Sequence, residues 1–176
     1  MNLKNFIFKT KLRFAKNHNR ADVLRKQGVT IGKCSDISKN VFWGSEPYLI
    51  KLGDYVRIAR NVTFITHDGG MWVLRNLHKL DNADKFGPII IKDNVHIGMN
   101  VTIMPGVTIG SNCIIGCGAI VTKDIPDNSI AVGIPARVIE TIDEYYEKNK
   151  DNVDYTKNMT ASQKKEYLLE KYNLNN

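Results

Sequence analysis

Aliphatic residues recur at every sixth position through the second half of the chain. The series is Ile91, Ile97, Ile103, Ile109, Ile115 and Val121. A small or β-branched residue precedes each of the last five by two positions, namely Val95, Val101, Val107, Cys113 and Ala119. Side chains two apart on a strand point to the same face, so each step buries one small and one large side chain. The pattern predicts a succession of very short strands with one buried face.

The residue three places after each aliphatic one predicts a tight turn. These residues are Asn94, Asn100, Gly106, Asn112, Gly118 and Asp124, all of types that tolerate a positive φ. A strand and a turn in every six residues predict a solenoid, with three steps in each triangular coil and coils about 4.8 Å apart. An ordinary β-sandwich is the alternative, but sandwich strands do not keep so regular a step.

The same step runs through the first half of the chain with two interruptions. Its members are Ile31, Ile37 and Trp43, then Leu52, Ile58 and Phe64, with Asn40 and Asn61 at turn positions. The longer step from Trp43 to Leu52 places extra residues around Pro47. The register stops after His67 and resumes at Ile91, so residues 68–87 are predicted to leave the solenoid as a long loop. Such loops are usually functional.

Both ends of the chain are predicted to be helical. Apolar residues are spaced among polar ones in residues 2–16, 20–27, 141–149 and 161–172. Thr160 and Gln163 fit a capping box at the start of the last helix, after a polar linker over 150–159. Three regions are therefore expected: a basic helical segment over 1–27, a solenoid over 28–140 and a helical segment over 141–176.

Composition and charge narrow the possible partners. The chain has 176 residues, is 43% hydrophobic and carries a net charge of +7, which suits a folded globular protein. The excess positive charge lies in residues 1–26, and the balanced remainder does not favour a nucleic-acid-binding protein. The basic segment is expected either to pack on an oligomer or to contact an anionic membrane surface. No apolar run suits a membrane span or a secretory signal, which favours a cytoplasmic location.

Cysteine and histidine spacing argues against a metal centre. The three cysteines lack a Cys-x-x-Cys pair and do not indicate a disulfide framework. His67, His78 and His96 lack the close spacing expected of a zinc-binding set. No metal cofactor is predicted.

The repeats resemble those of the hexapeptide-repeat acetyltransferases. The resemblance covers about residues 28–140 and is most specific in residues 97–110, 121–126 and 132–137. Residues 42–48 and 66–70 look like the branch that acetylates bacterial surface polysaccharides. The resemblance implies a mainly β fold, a left-handed parallel β-helix. It also implies acetyl-CoA as co-substrate and a homotrimer with the cofactor groove between subunits.

His67 is the candidate catalytic base. It occupies a turn position at the start of the loop, where an imidazole would be exposed and could act as a base near pH 7. From the residues alone, a polar turn residue bonded to backbone is an equally good interpretation; the resemblance implies the catalytic role. The implied reaction is direct: His67 deprotonates a sugar hydroxyl, which attacks the thioester, while a backbone N–H stabilises the oxyanion.

The resemblance also implies binding residues on either side of His67. The cofactor set is Met99, Cys117, Thr122, Lys123, Arg137 and His96, and the acceptor set is Glu46, Tyr48, Asp68, Trp72 and Arg75. Lys123 and Arg137 suit phosphates, although from the residues alone Lys123 is better interpreted as a solvated turn residue. Trp72 beside polar groups suits a sugar, and packing of the loop onto the solenoid is an equally good interpretation. His96 stands where several branches carry a tryptophan; we interpret it as a wall of the groove, with a second proton-transfer role as the alternative.

The predicted function is therefore O-acetylation of a sugar hydroxyl in capsule or surface-polysaccharide synthesis. One alternative is an acetyltransferase for a small acceptor, such as a free sugar, an amino sugar or an antibiotic. A second alternative is a solenoid that binds or assembles partners without catalysis.

Overall fold

The computed structural model describes residues 17–174 together with Thr10. Its strands are short because a turn residue recurs every few positions. They are β1 (Thr30–Ile31), β2 (Asp36–Ile37), β3 (Ile50–Leu52), β4 (Arg57–Ile58), β5 (Thr63–Phe64), β6 (Ile89–Ile91), β7 (His96–Ile97), β8 (Thr102–Ile103), β9 (Thr108–Ile109), β10 (Ile114–Ile115), β11 (Ile120–Val121), β12 (Ser129–Val132) and β13 (Arg137–Thr141). The helices are α1 (Asn17–Arg25), α2 (Met71–Asn76), α3 (Ile142–Asn149) and α4 (Ala161–Lys171), and Pro47–Leu49 forms a 3₁₀ turn.

The described strands form three sheets that make the sides of a solenoid. Face A has the order β1-β3-β6-β9, face B has β13-β12-β10-β7-β4-β2, and face C has β11-β8-β5. Neighbours within a face are parallel, except for the antiparallel pair β12 and β13. The chain visits faces A, B and C in turn, so a residue between two faces lies at a corner of the solenoid. This mainly β architecture agrees with the strand-and-turn pattern of the sequence.

The six-residue step supplies the core of the solenoid. Ile97, Ile103, Ile109 and Ile115 are fully buried, and the aligned register Leu52–Ile91–Ile109 stacks equivalent side chains from coil to coil. Each fully buried aliphatic side chain contributes about 1.5–3 kcal/mol through removal of apolar surface from water. In the first two coils, the Trp43 and Phe64 rings stack with centroids 4.9 Å apart. Burial of the repeated aliphatic positions therefore holds adjacent coils together.

Asparagines form two ladders along the corners. Asn94, Asn112 and Asn128 all have positive φ, and their side chains are joined in sequence by hydrogen bonds of 2.9 Å. At another corner, Asn61 donates to Asn100 at 3.1 Å. The predicted turn residue Asp124 differs, because it does not adopt a positive φ; its carboxylate instead accepts a hydrogen bond from the Thr108 N–H at 2.7 Å.

Helix α1 covers the first coil. Leu24 is fully buried, and the Arg25 guanidinium donates to the carbonyls of Ile31 and Gly32. The helix predicted over residues 2–16 lies outside the described residues apart from Thr10, as does most of the basic segment proposed for a membrane surface. Within the described part of the chain, no helix is both long and apolar enough to cross a membrane.

Residues Tyr146–Asn176 form a second compact unit. Helix α4 begins with the capping box expected from the sequence: the Gln163 N–H donates to Thr160 Oγ1 and the Thr160 N–H donates to Gln163 Oε1. Asp154 accepts a hydrogen bond from the Tyr167 hydroxyl at 2.6 Å, which ties the preceding linker to this helix.

Candidate active site

His67 lies at the corner between faces C and A, called here the C–A corner. Its backbone does not continue into face A but pairs with Phe86 in an antiparallel bridge. The Asp68 N–H donates to the Lys85 carbonyl at 2.8 Å, and the Gly87 N–H donates to the Thr66 carbonyl at 3.0 Å. These bonds close the base of the loop and hold His67 beside it, with 47% of its side chain exposed.

Residues from the preceding coil surround one nitrogen of the His67 ring. His67 Nδ1 lies 3.0 Å from Ser45 Oγ and 3.4 Å from Glu46 Oε2. The same Glu46 oxygen accepts hydrogen bonds from Ser45 Oγ at 3.0 Å and Thr66 Oγ1 at 2.6 Å. Both of the ring's hydrogen-bond contacts within residues 17–174 involve Nδ1, so Nε2 is the nitrogen available to a ligand.

The Glu46 carboxylate is stabilised in its charged form. Partial burial acts to raise its pKa, but the hydrogen bonds from Thr66, Ser45 and His67 outweigh that effect and hold the pKa below its ordinary value. Glu46 is therefore ionised at neutral pH. An ionised carboxylate can accept hydrogen bonds but cannot donate one.

Asp68 supplies a second negative charge at the base of the loop. The Gly70 N–H donates to its carboxylate at 2.9 Å, and Lys85 Nζ lies 3.4 Å away. The Gly70 hydrogen bond, followed by the interaction with Lys85, lowers the pKa of Asp68. The charge is therefore present at neutral pH beside His67.

Three other predicted acceptor residues, Tyr48, Trp72 and Arg75, form no hydrogen bond with the His67 ring in the described part of the chain. Tyr48 and Trp72 are exposed, with Tyr48 on the 3₁₀ turn and Trp72 on α2 in the loop. Arg75 donates to the Ala83 carbonyl and pairs with Asp84 at 2.6 Å. Its guanidinium therefore holds the loop together internally.

The predicted cofactor residues fall in three parts of the solenoid. Met99 and Cys117 stack on adjacent coils at the corner between faces B and C, where the Gly118 N–H donates to the Met99 carbonyl at 2.8 Å. Thr122 and Lys123 are exposed at the C–A corner, two coils beyond His67. Arg137 begins β13 on face B, opposite Val132, and is also exposed.

His96 lies on face B between Arg57 and Ile114 of the neighbouring strands. Burial, and to a smaller extent the charge of Arg57, lowers its pKa, so the imidazole is neutral at pH 7. Face B lies across the solenoid from the C–A corner that carries His67. The two histidines therefore lie on different sides of the solenoid.

Ser45 and Thr66 were not predicted as site residues. The extra residues between Trp43 and Leu52 were the available signal, because they lie at the same C–A corner as His67 in the preceding coil. The sequence step shows that residues are added there but not which side chains reach the histidine. Three or more metal-ligating side chains do not gather into a metal site anywhere in the described residues.

The repeats and the whole chain have relatives among known proteins. A family model described as "Bacterial transferase hexapeptide (six repeats)" matches residues 88–123, the stretch with the unbroken six-residue step. Protein CapG of Staphylococcus aureus is 45% identical over 167 residues, which cover 93% of this chain and 95% of CapG. Galactoside O-acetyltransferase of Escherichia coli K12 is 47% identical over 108 residues, covering 59% of this chain and 52% of that protein.

A solved structure extends the similarity beyond the repeats. The galactoside acetyltransferase in complex with coenzyme A superposes with a TM-score of 0.60 at 29% identity. The match covers 89% of this chain and 85% of that chain. That protein was solved with coenzyme A, which is the product form of the acetyl-CoA implied by the sequence resemblance.

Proposed function

The chain belongs to the bacterial transferase hexapeptide family, and we propose that it transfers the acetyl group of acetyl-CoA to a hydroxyl of a sugar acceptor. The matches to these relatives confirm the family and the acetyltransferase class predicted from the sequence. His67 is the general base. The observation that carries this role is the half-exposed imidazole at the base of the loop, with Ser45 and Glu46 on Nδ1 and Nε2 left for the substrate.

The proposed reaction needs no covalent enzyme intermediate. His67 Nε2 takes the proton of the sugar hydroxyl as its oxygen bonds to the thioester carbonyl carbon. A backbone N–H stabilises the resulting oxyanion. The carbon–sulfur bond then breaks, and the proton on His67 passes to the coenzyme A thiolate, giving an acetyl ester and free coenzyme A. The imidazole returns to its starting state.

Coenzyme A binds along the coils that follow His67. Thr122 and Lys123 share its corner of the solenoid, and the exposed Lys123 and Arg137 provide positive charge for the phosphates. Met99 and Cys117 offer backbone groups at the corner between faces B and C, and His96 forms a neutral wall.

The acceptor approaches His67 from the side of the loop. Asp68 is ionised and suits sugar hydroxyls as a hydrogen-bond acceptor, while the exposed rings of Trp72 and Tyr48 offer apolar faces for stacking. Arg75 shapes the loop through its ion pair with Asp84.

We reassign Glu46 from binding the acceptor to positioning His67, because its Oε2 already accepts hydrogen bonds from Ser45 and Thr66. A surface polysaccharide or its precursor is the proposed acceptor class.

The working enzyme is a homotrimer of left-handed β-helices. One protomer supplies the C–A corner with His67, and its neighbour supplies a second wall of the groove. The separation of His67 and His96 on different sides of one solenoid supports this assembly.

A thiol-release assay with acetyl-CoA and a panel of oligosaccharides and free sugars tests this function. We expect His67→Ala to lower kcat by about 100- to 10,000-fold, the usual contribution of a general base. His78→Ala is the matched control, because His78 is an exposed loop histidine paired with Asp81. Unchanged transfer by His67→Ala would eliminate His67 as the base. Failure of the wild-type protein on every acceptor would favour a binding role.

A further inference from the structure

One hydroxyl group lies between a carboxylate and the catalytic imidazole. Ser45 Oγ is 3.0 Å from Glu46 Oε2 and also 3.0 Å from His67 Nδ1. A serine hydroxyl has one proton to donate and lone pairs with which to accept. The ionised Glu46 can only accept, so the Ser45 proton points to Glu46 and a Ser45 lone pair faces Nδ1.

This arrangement determines which ring nitrogen carries the proton. With a Ser45 lone pair facing it, Nδ1 must donate a hydrogen bond and therefore carries the hydrogen. Glu46 Oε2, 3.4 Å from Nδ1, favours the same state. The opposite tautomer would set the Nδ1 lone pair against the serine lone pair, or would turn the serine proton away from the carboxylate. The first arrangement loses the hydrogen bond that Nδ1–H donates, and the second loses the charge-assisted hydrogen bond from Ser45 to Glu46.

The Thr66 hydroxyl fixes the carboxylate in this orientation. Thr66 is fully buried, and its Oγ1 donates to Glu46 Oε2 at 2.6 Å. If Glu46 turned towards solvent, the buried Thr66 hydroxyl would lose its hydrogen-bond partner. A buried, unpaired hydroxyl is unfavourable because its desolvation is not compensated. Thr66 also precedes His67 directly, which anchors the carboxylate and the imidazole to the same end of β5.

We propose that Glu46, Ser45 and Thr66 form a positioning network that holds His67 as the Nδ1–H tautomer, with Nε2 unprotonated before each turnover. This inference rests on the proposed role of His67 as general base. When Nε2 takes the substrate proton, both nitrogens carry hydrogen and the ionised Glu46 stabilises the imidazolium. No proton passes to Glu46, and the network is unchanged when His67 releases its proton to the thiolate.

Nitrogen-15 NMR of histidine-labelled protein tests the tautomer without relying on catalysis. The His67 signals are assigned by their absence from His67→Gln, and spectra are recorded where the ring is neutral. We expect the Nδ1–H pattern in the wild-type protein. We expect a shift towards Nε2–H in Glu46→Gln, because an amide can donate as well as accept hydrogen bonds and so no longer fixes the direction of the Ser45 proton. An Nε2–H pattern in the wild-type protein, or an unchanged pattern in Glu46→Gln, would overturn the proposal.

Kinetics provide a second measurement. Glu46→Gln is expected to lower kcat by about 10- to 1,000-fold while leaving the KM for acetyl-CoA within about 2-fold. Ser45→Ala should lower kcat less, because Glu46 remains near Nδ1. Ser45 is exposed, so that variant also tests the network where Glu46→Gln is poorly folded. Thr66→Ser retains the hydroxyl and should restore most of the activity lost in Thr66→Val; equal activities would contradict the role of Thr66.

The two measurements separate this inference from the proposed function. The Nδ1–H tautomer in a protein that acetylates no acceptor would support the network and remove the function. His67-dependent transfer by a protein with the Nε2–H tautomer would retain the function and remove the network.

Discussion

Gly44 allows the C–A corner around His67 to pack. Its φ is +67°, a conformation that side chains with a Cβ rarely adopt. A Cβ at this position would lie 2.5 Å from Thr66 Oγ1, the atom that donates to Glu46. The glycine is therefore required both by the turn and by the position of the carboxylate that faces His67.

Gly44→Ala is predicted to damage stability and catalysis together. The left-handed conformation alone costs about 1–2 kcal/mol for a residue with a Cβ, and displacement of Thr66 adds to that cost. Urea unfolding and kcat measure the two effects. Gly106→Ala is the matched control, because Gly106 has φ +83° but its Cβ would meet no atom within 4 Å. Equal losses of stability in the two variants would show that the contact with Thr66 costs nothing.

The sequence identified some residues of the candidate site and missed others. His67 was identifiable as a candidate because it follows the aliphatic position of its step and begins the loop. Ser45, which contacts Nδ1, and Thr66, which donates to Glu46, were not identifiable, since they lie in different coils and their meeting depends on the conformation of residues 44–48. Glu46 was chosen as part of the site, but its orientation towards His67 rather than the acceptor depends on side-chain hydrogen bonds that spacing does not encode.

At the scale of the elements, the ladder formed by Asn94, Asn112 and Asn128 links three successive coils. Asn112 combines two roles in it: its φ is +56°, and its side chain both accepts from Asn94 and donates to Asn128. Asparagine tolerates the left-handed conformation better than most residues with a Cβ. The conformational and hydrogen-bonding contributions can therefore be separated by substitution.

Asn112→Ala is predicted to lower the free energy of unfolding by about 1–3 kcal/mol, through lost hydrogen bonds and the unfavourable φ. Asn112→Gly removes the same side chain but accepts the φ, so it should be less destabilised than the alanine variant. Chemical denaturation of both variants provides the comparison. If glycine proved as destabilising as alanine, the backbone conformation would contribute nothing to the role of Asn112.

The elements themselves were predictable where the repeat is regular. The aliphatic positions at 97, 103, 109 and 115 are the buried residues of β7 to β10, because period-two alternation and a turn every six residues admit one buried face. The short helix α2 was not predicted. It spans Met71–Asn76 inside the loop, and a helix of this length depends on its surroundings rather than on a periodic apolar stripe.

At the scale of the whole molecule, the predicted site residues lie on different sides of the solenoid. His67 and Lys123 occupy the C–A corner, whereas His96 and Arg137 belong to face B. The six-residue step predicted buried and turn positions but not which face carries each residue, and the sequence of one chain does not give the position of a neighbouring protomer. A symmetric assembly would place the corner of one protomer against another protomer and so complete a cofactor groove.

Activity is therefore predicted to depend on assembly. Sedimentation should give a species of about 60 kDa, three copies of the 19.9 kDa chain. On dilution, acetyl transfer per chain should fall in parallel with the trimer fraction, because a lone protomer retains His67 but lacks the second wall of the groove. Saturating coenzyme A should move the dissociation to lower protein concentration, since a ligand bound between subunits stabilises their association. A fully active monomer would place the complete site within one chain and contradict the intersubunit groove.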